Sequence, residues 1–190
     1  MKIKQINDKY LEIIYFIFIY MSFCRLYNDW SQSNEEKINK QINMELYAAH
    51  MYNALYSYFK SDSVGFPGIS EFFKKSADEE MEHARKFMDY QITRGGSVKI
   101  SEIREPLFTF KTPDSLLYQG IKAAISLEKM VYDSIINISK SCEDVGLEDF
   151  LDDFVQEQLR SQYELGLRLR QLNHIGNDGH GLVDYDKNMF

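Results

Sequence analysis

FKKSADEEMEHARKFMDY, residues 73–90, is the stretch on which the fold turns. Phe73, Ser76, Glu80, His83, Phe87 and Tyr90 recur at alternating steps of three and four, so they share one face of a helix. Glu80 and His83 break the apolar rhythm of that face and stand side by side on it. Alone, an ExxH pair is a weak signal, because exposed helices carry such pairs by chance. Three further stripes give it weight. They run Ile38, Ile42, Glu45, Ala49, Tyr52, then Leu117, Ile121, Ala124, Glu128, Val131, Ile135, Ile138, and finally Leu151, Phe154, Gln158, Ser161, Leu165. Each is the inward seam of a helix, and each carries a metal-binding side chain near its middle.

A carboxylate on a buried seam costs several kcal/mol unless something neutralises it, on the order of the effective burial penalty per ion. Three Glu, one His and one Gln converging in a bundle core are best explained by a metal. Carboxylates with one imidazole suit iron, manganese or zinc better than copper(I), and a bridging Glu80 would hold two ions close together. Two adjacent iron(II) ions can deliver two electrons to dioxygen. Tyr52, seven residues after Glu45, lies on the same face, where its phenol could donate an electron or hydrogen-bond a ligand; a core aromatic with a satisfied hydroxyl is the other reading.

Composition agrees with one globular domain. The 190 residues can bury a core without disulfides, and 44% hydrophobic with 27% charged residues is ordinary for such a chain. A formal net charge of -7 argues against nucleic acid as a partner and suits a surface that attracts cations. Two cysteines, Cys24 and Cys142, form neither a disulfide framework nor a metal knuckle.

Residues 1–32 read as an N-terminal extension or signal-like segment, and residues 33–190 as the working domain. Lys2, Lys4 and Lys9 precede an uncharged run ending in Ser22 and Cys24, which fits a secretory signal peptide. An upstream extension with Met21 as the initiator, or a structured extension, are the other readings. The run is too short to span a bilayer as a helix. Cytoplasmic location is the expectation, with secretion the alternative if residues 1–24 are a signal peptide.

Helix limits follow from capping and breaker signals. Ser33 with Glu36 has the pattern of a capping box and opens a first helix to about Lys60. Residues 61–68, with Gly65, Pro67 and Gly68, form a turn, and a second helix stops at Gly95 and Gly96. Thr112, Pro113 and Asp114 open the third helix. Residues 95–111 are too long for a helical hairpin and, extended, reach roughly 55 Å, so they can cross the whole bundle. The expected fold is all-α: a four-helix bundle with a long crossover between helices 2 and 3. A break at residues 141–146 precedes the fourth helix, which ends at about Asn173 before Gly176, Gly179 and Gly181. Residues 182–190 make at most a short fifth helix.

The segment INKQINMELY at residues 38–47, Glu79 to His83 followed by Ala84, Leu127-Glu128-Lys129, Glu157-Gln158 and the segment from Gly181-Leu182 to Lys187 occur in order on one chain. Together these five motifs resemble the ferritins. That resemblance implies a ferritin-like diiron domain with a ferroxidase centre: Glu45, Glu80 and His83 for the first iron, Glu80, Glu128 and Gln158 for the second, and Glu79 at the second ion or an exit route. It implies two iron ions per centre, oxidised from iron(II) by dioxygen or peroxide. The ferric mineral would be stored in a hollow shell of twenty-four subunits, formed by self-assembly or with other ferritin chains. Neither nucleic acid nor a membrane is an expected partner.

The set matches heavy-chain-like catalytic subunits. A shell subunit that is structural or mineral-nucleating and relies on another chain for oxidation is the alternative, and a di-metal oxidase of the same fold a more distant one. Haem is not expected, since Met81 stands alone. Arg160 and Ser161 replace the glutamates of a third iron site. Acidic residues 143–153 either line a threefold pore or stabilise a helix N-terminus. His50 is expected at a subunit contact.

Overall fold

The computed structural model describes residues 30–110 and 115–189. Most of the expected N-terminal segment and the Thr112-Pro113-Asp114 helix start lie outside the described residues. Five helices follow in order: α1 Gln32–Lys60, α2 Pro67–Thr93, α3 Leu116–Lys140, α4 Val145–Ile175 and α5 Gly179–Lys187. The four long helices form the bundle, and the fold is all-α as the stripes require.

Side-chain contacts fix the helix directions. Gln91, near the end of α2, donates to the Glu35 carbonyl at the start of α1 (2.9 Å), so these helices are antiparallel. Lys37 of α1 reaches the Ser141 carbonyl just past α3 (2.6 Å), which makes α1 and α3 antiparallel too. Arg94 after α2 pairs with Asp144 before α4 (2.9 Å from Nη1 to Oδ1). The order is therefore up, down, down, up, and the connection from α2 to α3 must travel the length of the bundle.

Two asparagines hold that crossover. Asn39 donates to the Ser97 carbonyl (2.9 Å) and accepts from the Lys99 amide (2.8 Å). One turn later Asn43 repeats the pattern with the Lys99 carbonyl (2.9 Å) and the Ser101 amide (2.7 Å). Each amide side chain thus replaces the partner strand that an extended backbone lacks. At the far end of α1, Phe108 and Phe110 pack edge-on against Tyr58.

The stripes are buried as read, except that Tyr90 and Ser161 are half-buried. Helix ends differ more. Ser31, not Ser33, caps α1, its side chain accepting from the Asn34 amide. Ser33 lies two residues too deep to cap, and Glu36 instead accepts from Gln32. Ser115 caps α3 by accepting from the Tyr118 amide, three residues beyond Thr112. Gly95, at φ +76°, follows α2 in the left-handed conformation expected there. Gly176 ends α4, but Gly179 and Gly181 belong to α5, which starts earlier than residue 182 because Asp178 caps it.

α5 is locked onto α2. Asp186 is 3% exposed and accepts from the amides of Gly68 (2.9 Å) and Ile69 (2.8 Å), supplying the cap that Phe66 cannot. A Cβ at Gly68 would lie 1.9 Å from the Asp186 carbonyl oxygen. Gly68→Ala must therefore push α5 away, at an expected cost of about 1–3 kcal/mol. A lower midpoint of thermal unfolding, with earlier proteolysis of α5, is the expected result; an unchanged midpoint would mean that α5 yields freely.

Candidate metal centre

Every long helix seam buries ligand-capable polar side chains in the same part of the bundle core, two of them from α2 and one from each of the others. Glu45 from α1 is fully buried, Glu80 and His83 from α2 are 3% and 7% exposed, Glu128 from α3 is 4% and Gln158 from α4 is 3%. Ligand-capable atoms of Glu45, Glu80 and His83 all lie within 4.8 Å of one another. Glu128 sits against Tyr52, whose hydroxyl donates a short hydrogen bond to Glu128 Oε1. Gln158 completes the ring by hydrogen-bonding Glu128.

Burial dominates the electrostatics. It raises the pKa of Glu45 well above the usual carboxylate value, and the neighbouring Glu80 charge raises it further. Glu80 is raised well above that value by burial and then by the Glu128 charge. Burial raises Glu128 as well, against opposing hydrogen bonds from Tyr52 and Gln158. The Tyr52 phenol is pushed well up by burial and by Glu128, so it stays neutral and donates. Three buried acids this close together cannot all ionise without a compensating cation.

The donor set fits such a cation. Glu45 Oε2, Glu128 Oε2 and Gln158 Oε1 are buried oxygens with no hydrogen-bond partner. An orphaned buried acceptor costs about 1–3 kcal/mol, so three at one centre are best explained by ligation. Oxygen donors with one imidazole match first-row divalent metals of the iron, manganese and zinc kind.

Access runs between α2 and α4. A cleft of about 430 Å³ is lined by Glu79, Glu80, His83, Glu128, Glu157 and Gln158, with Lys75, Arg160 and Arg168 at its rim. Glu79 is exposed on its wall, 3.7 Å from Lys75, and stands outside the buried cluster. Met81 is half-buried within the core packing, and His50 is exposed.

A family profile of the ferritin-like domain matches residues 35–175. The chain belongs to the ferritin family. Ferritin-2, chloroplastic, from Zea mays is 38% identical over 159 residues, which cover 80% of this chain and 63% of the maize protein. Soma ferritin from Lymnaea stagnalis is 36% identical over 171 residues, covering 88% of this chain and 96% of the snail protein. The crystal structure of ferritin from the multicellular green alga Ulva pertusa matches with a TM-score of 0.80 at 33% identity, over 84% of both chains. The chain therefore spans less than two thirds of the maize ferritin and nearly all of the snail one.

In this ferritin the structure adds Glu157, which the sequence presents only as the neighbour of Gln158. Its Oε1 lies 3.2 Å from His83 Nε2, while His83 Nδ1 lies 3.2 Å from Glu80 Oε2. A neutral imidazole has one N–H to give. With that proton on Nε2 and donated to Glu157, Nδ1 keeps a lone pair toward the Glu45 and Glu80 carboxyls. A carboxylate behind a ligating histidine is the usual way to fix that tautomer. The spacing from Gln158 alone could not reveal this, because it depends on the register between α2 and α4.

The raised carboxyl pKa values carry a stability consequence. Folded, metal-free protein holds protons that the unfolded chain releases above its ordinary value of 4.5. The stabilising contribution is full below that value and is lost as pH rises through the raised ones. Relative to wild type, metal-free Glu80→Gln should gain melting temperature as pH increases from about 5 to 8. A pH-independent difference would mean that Glu80 is not held protonated.

Proposed function

We propose that this ferritin oxidises iron(II) to iron(III) at the buried centre and stores the product as a ferric mineral inside a hollow shell of twenty-four copies. The observation that carries the reading is the ring of Glu45, Glu80, His83, Glu128 and Gln158, with its three orphaned oxygens, opening into a single cleft. A subunit serving only as shell has no need to bury carboxylates on its helix seams.

Iron is the substrate. Glu45, Glu80 and His83 hold one ion; Glu80, Glu128 and Gln158 hold the second, with Glu80 between them. Binding displaces the carboxyl protons, so each site becomes anionic as the metal arrives. Anionic oxygen ligands favour the trivalent over the divalent ion by simple charge attraction, which drives electron loss. Two iron(II) ions give up one electron each, and dioxygen takes both to reach the oxidation level of hydrogen peroxide, with protons drawn from solvent. Hydrogen peroxide serves equally as a two-electron acceptor. Tyr52, a neutral phenol, holds the Glu128 carboxylate in position through its hydroxyl hydrogen bond. Glu79 and Glu157 line the way out.

Self-assembly is supported by apolar side chains that the monomer leaves bare: Leu107 is 76%, Val145 79% and Tyr163 67% exposed. Acidic residues 148, 149, 152 and 153 around the start of α4 supply an attractive field for iron(II) entering the shell. None of the described helices is long and apolar enough to cross a membrane. We place the working protein in the cytoplasm, although the maize and Arabidopsis relatives carry the word chloroplastic in their names.

Aerobic iron(II) oxidation, followed by stopped-flow absorbance, tests the centre. Glu80→Ala, His83→Ala protein of unchanged assembled size should oxidise iron at least ~10-fold more slowly than wild type. Equal slow rates in both would favour the shell-subunit reading, with oxidation supplied by another chain. Separately, N-terminal sequencing of the natural protein should begin at Met1 or Met21; a start near Arg25 would replace the cytoplasmic assignment with secretion.

A further inference from the structure

Gln41 is fully buried beside the metal centre, one helical turn before Glu45. Its amide Nε2 donates to Glu45 Oε1 at 2.7 Å, and its Oε1 accepts from Ser134 Oγ at 2.5 Å. The direction of this chain follows from chemistry. Gln41 Nε2 is the atom that meets Glu45 Oε1, and a carboxylate that has given up its proton to bind a cation can only accept, so the NH2 end of the amide suits the Glu45 side. The carbonyl end then faces α3, where Ser134 must be the donor.

We infer that Ser134 and Gln41 are positioning residues that fix the Glu45 carboxylate, holding Oε1 so that Oε2 alone is presented to the metal. The inference rests on the metal-centre reading given above. Three observations converge on it. Oε2 is the Glu45 oxygen left without a hydrogen-bond partner, while Oε1 is engaged. Gln41 stands four residues before Glu45, so the two side chains stack on one helix face and the amide reaches the carboxylate without strain. A buried amide is costly unless both its ends are bonded, and an apolar residue would pack the same space without that requirement. The polar residue is explained by what it does to Glu45.

Ser134 anchors the chain from a different helix. It is half-buried and lines the outer groove between α1, the crossover and α3, alongside Met44, Tyr47 and Ile103. Glu45 is thereby tied to the side of the bundle away from the cleft between α2 and α4. A carboxylate free to rotate would bind an ion through both oxygens. A tethered one offers a single oxygen in a fixed direction, which sets coordination number and geometry before the ion enters.

Cobalt(II) is a suitable probe, since its visible bands report geometry without turnover. The assembled full-length protein is titrated with cobalt(II) as wild type, Glu80→Ala, Gln41→Met, Ser134→Ala and Ser134→Thr, with the melting of each metal-free form recorded alongside. Wild type should show bands that Glu80→Ala removes. Gln41→Met should shift those bands and weaken binding by about 10- to 100-fold. Ser134→Ala should shift them in the same direction by less, and Ser134→Thr, which keeps the hydroxyl, should restore the wild-type spectrum. Wild-type bands and affinity in Gln41→Met would overturn the inference. Should that variant fail to assemble, an unchanged spectrum in Ser134→Ala would overturn it instead. If wild type itself shows no Glu80-dependent bands, the metal-centre reading fails and this inference with it.

Discussion

Glu45, Glu80 and Glu128 share one buried space, and the bundle is arranged around what that requires. Without a metal the acids keep protons, and Tyr52, Gln158 and Gln41 donate to carboxyl oxygens that carry none. In the proposed metal-bound form, the same hydrogen bonds would hold those side chains in place. Either state needs the four seams aligned to within a fraction of a helical turn. That alignment cannot come from apolar packing alone, because greasy side chains tolerate sliding by small repacking.

Directional contacts at the ends of the bundle supply it. Arg94 grips Asp144 through both terminal nitrogens and donates to the Tyr90 hydroxyl, so the end of α2 and the start of α4 share one clamp. The hydrogen bonds from Arg94 hold the Asp144 carboxyl below its usual pKa range, keeping it charged. The same carboxylate caps α4 through the Leu147 amide, so helix start and inter-helix register are set by one group. Asn39 and Asn43 do the equivalent for the crossover. At the opposite end Asp186 caps α2 from α5.

What the amino-acid sequence reveals follows the reach of its periodicities. The stripes were readable because a helix repeats every 3.6 residues, and burial of Ile38 through Tyr52 or Leu117 through Ile138 follows from that repeat alone. The residues on the ring were readable for the same reason, as polar breaks in apolar stripes. Caps were less so: Ser31 and Ser33 both suit the start of α1, and a two-residue ambiguity in spacing leaves the choice to tertiary packing. Gln41, Ser134 and Glu157 were not legible as parts of the site. Ser134 is 93 residues from Gln41, and no pattern within one helix says which residue of another helix will stand opposite it.

Trp30 occupies the joint where α1 begins and α2 ends. Its indole N–H donates to Gln91 Oε1 at 3.0 Å, the Arg94 guanidinium lies 4.5 Å above its ring, and Tyr90 meets it edge-on. It is also the only tryptophan in the chain. Indole fluorescence from this protein therefore has a single origin, under a cation and beside the Arg94–Asp144 clamp. Along α1 the joint stands about 22 Å from Glu45, at 1.5 Å per residue. The emission is an intrinsic optical gauge of the clamp at the end of the bundle, with its light coming from well outside the metal centre.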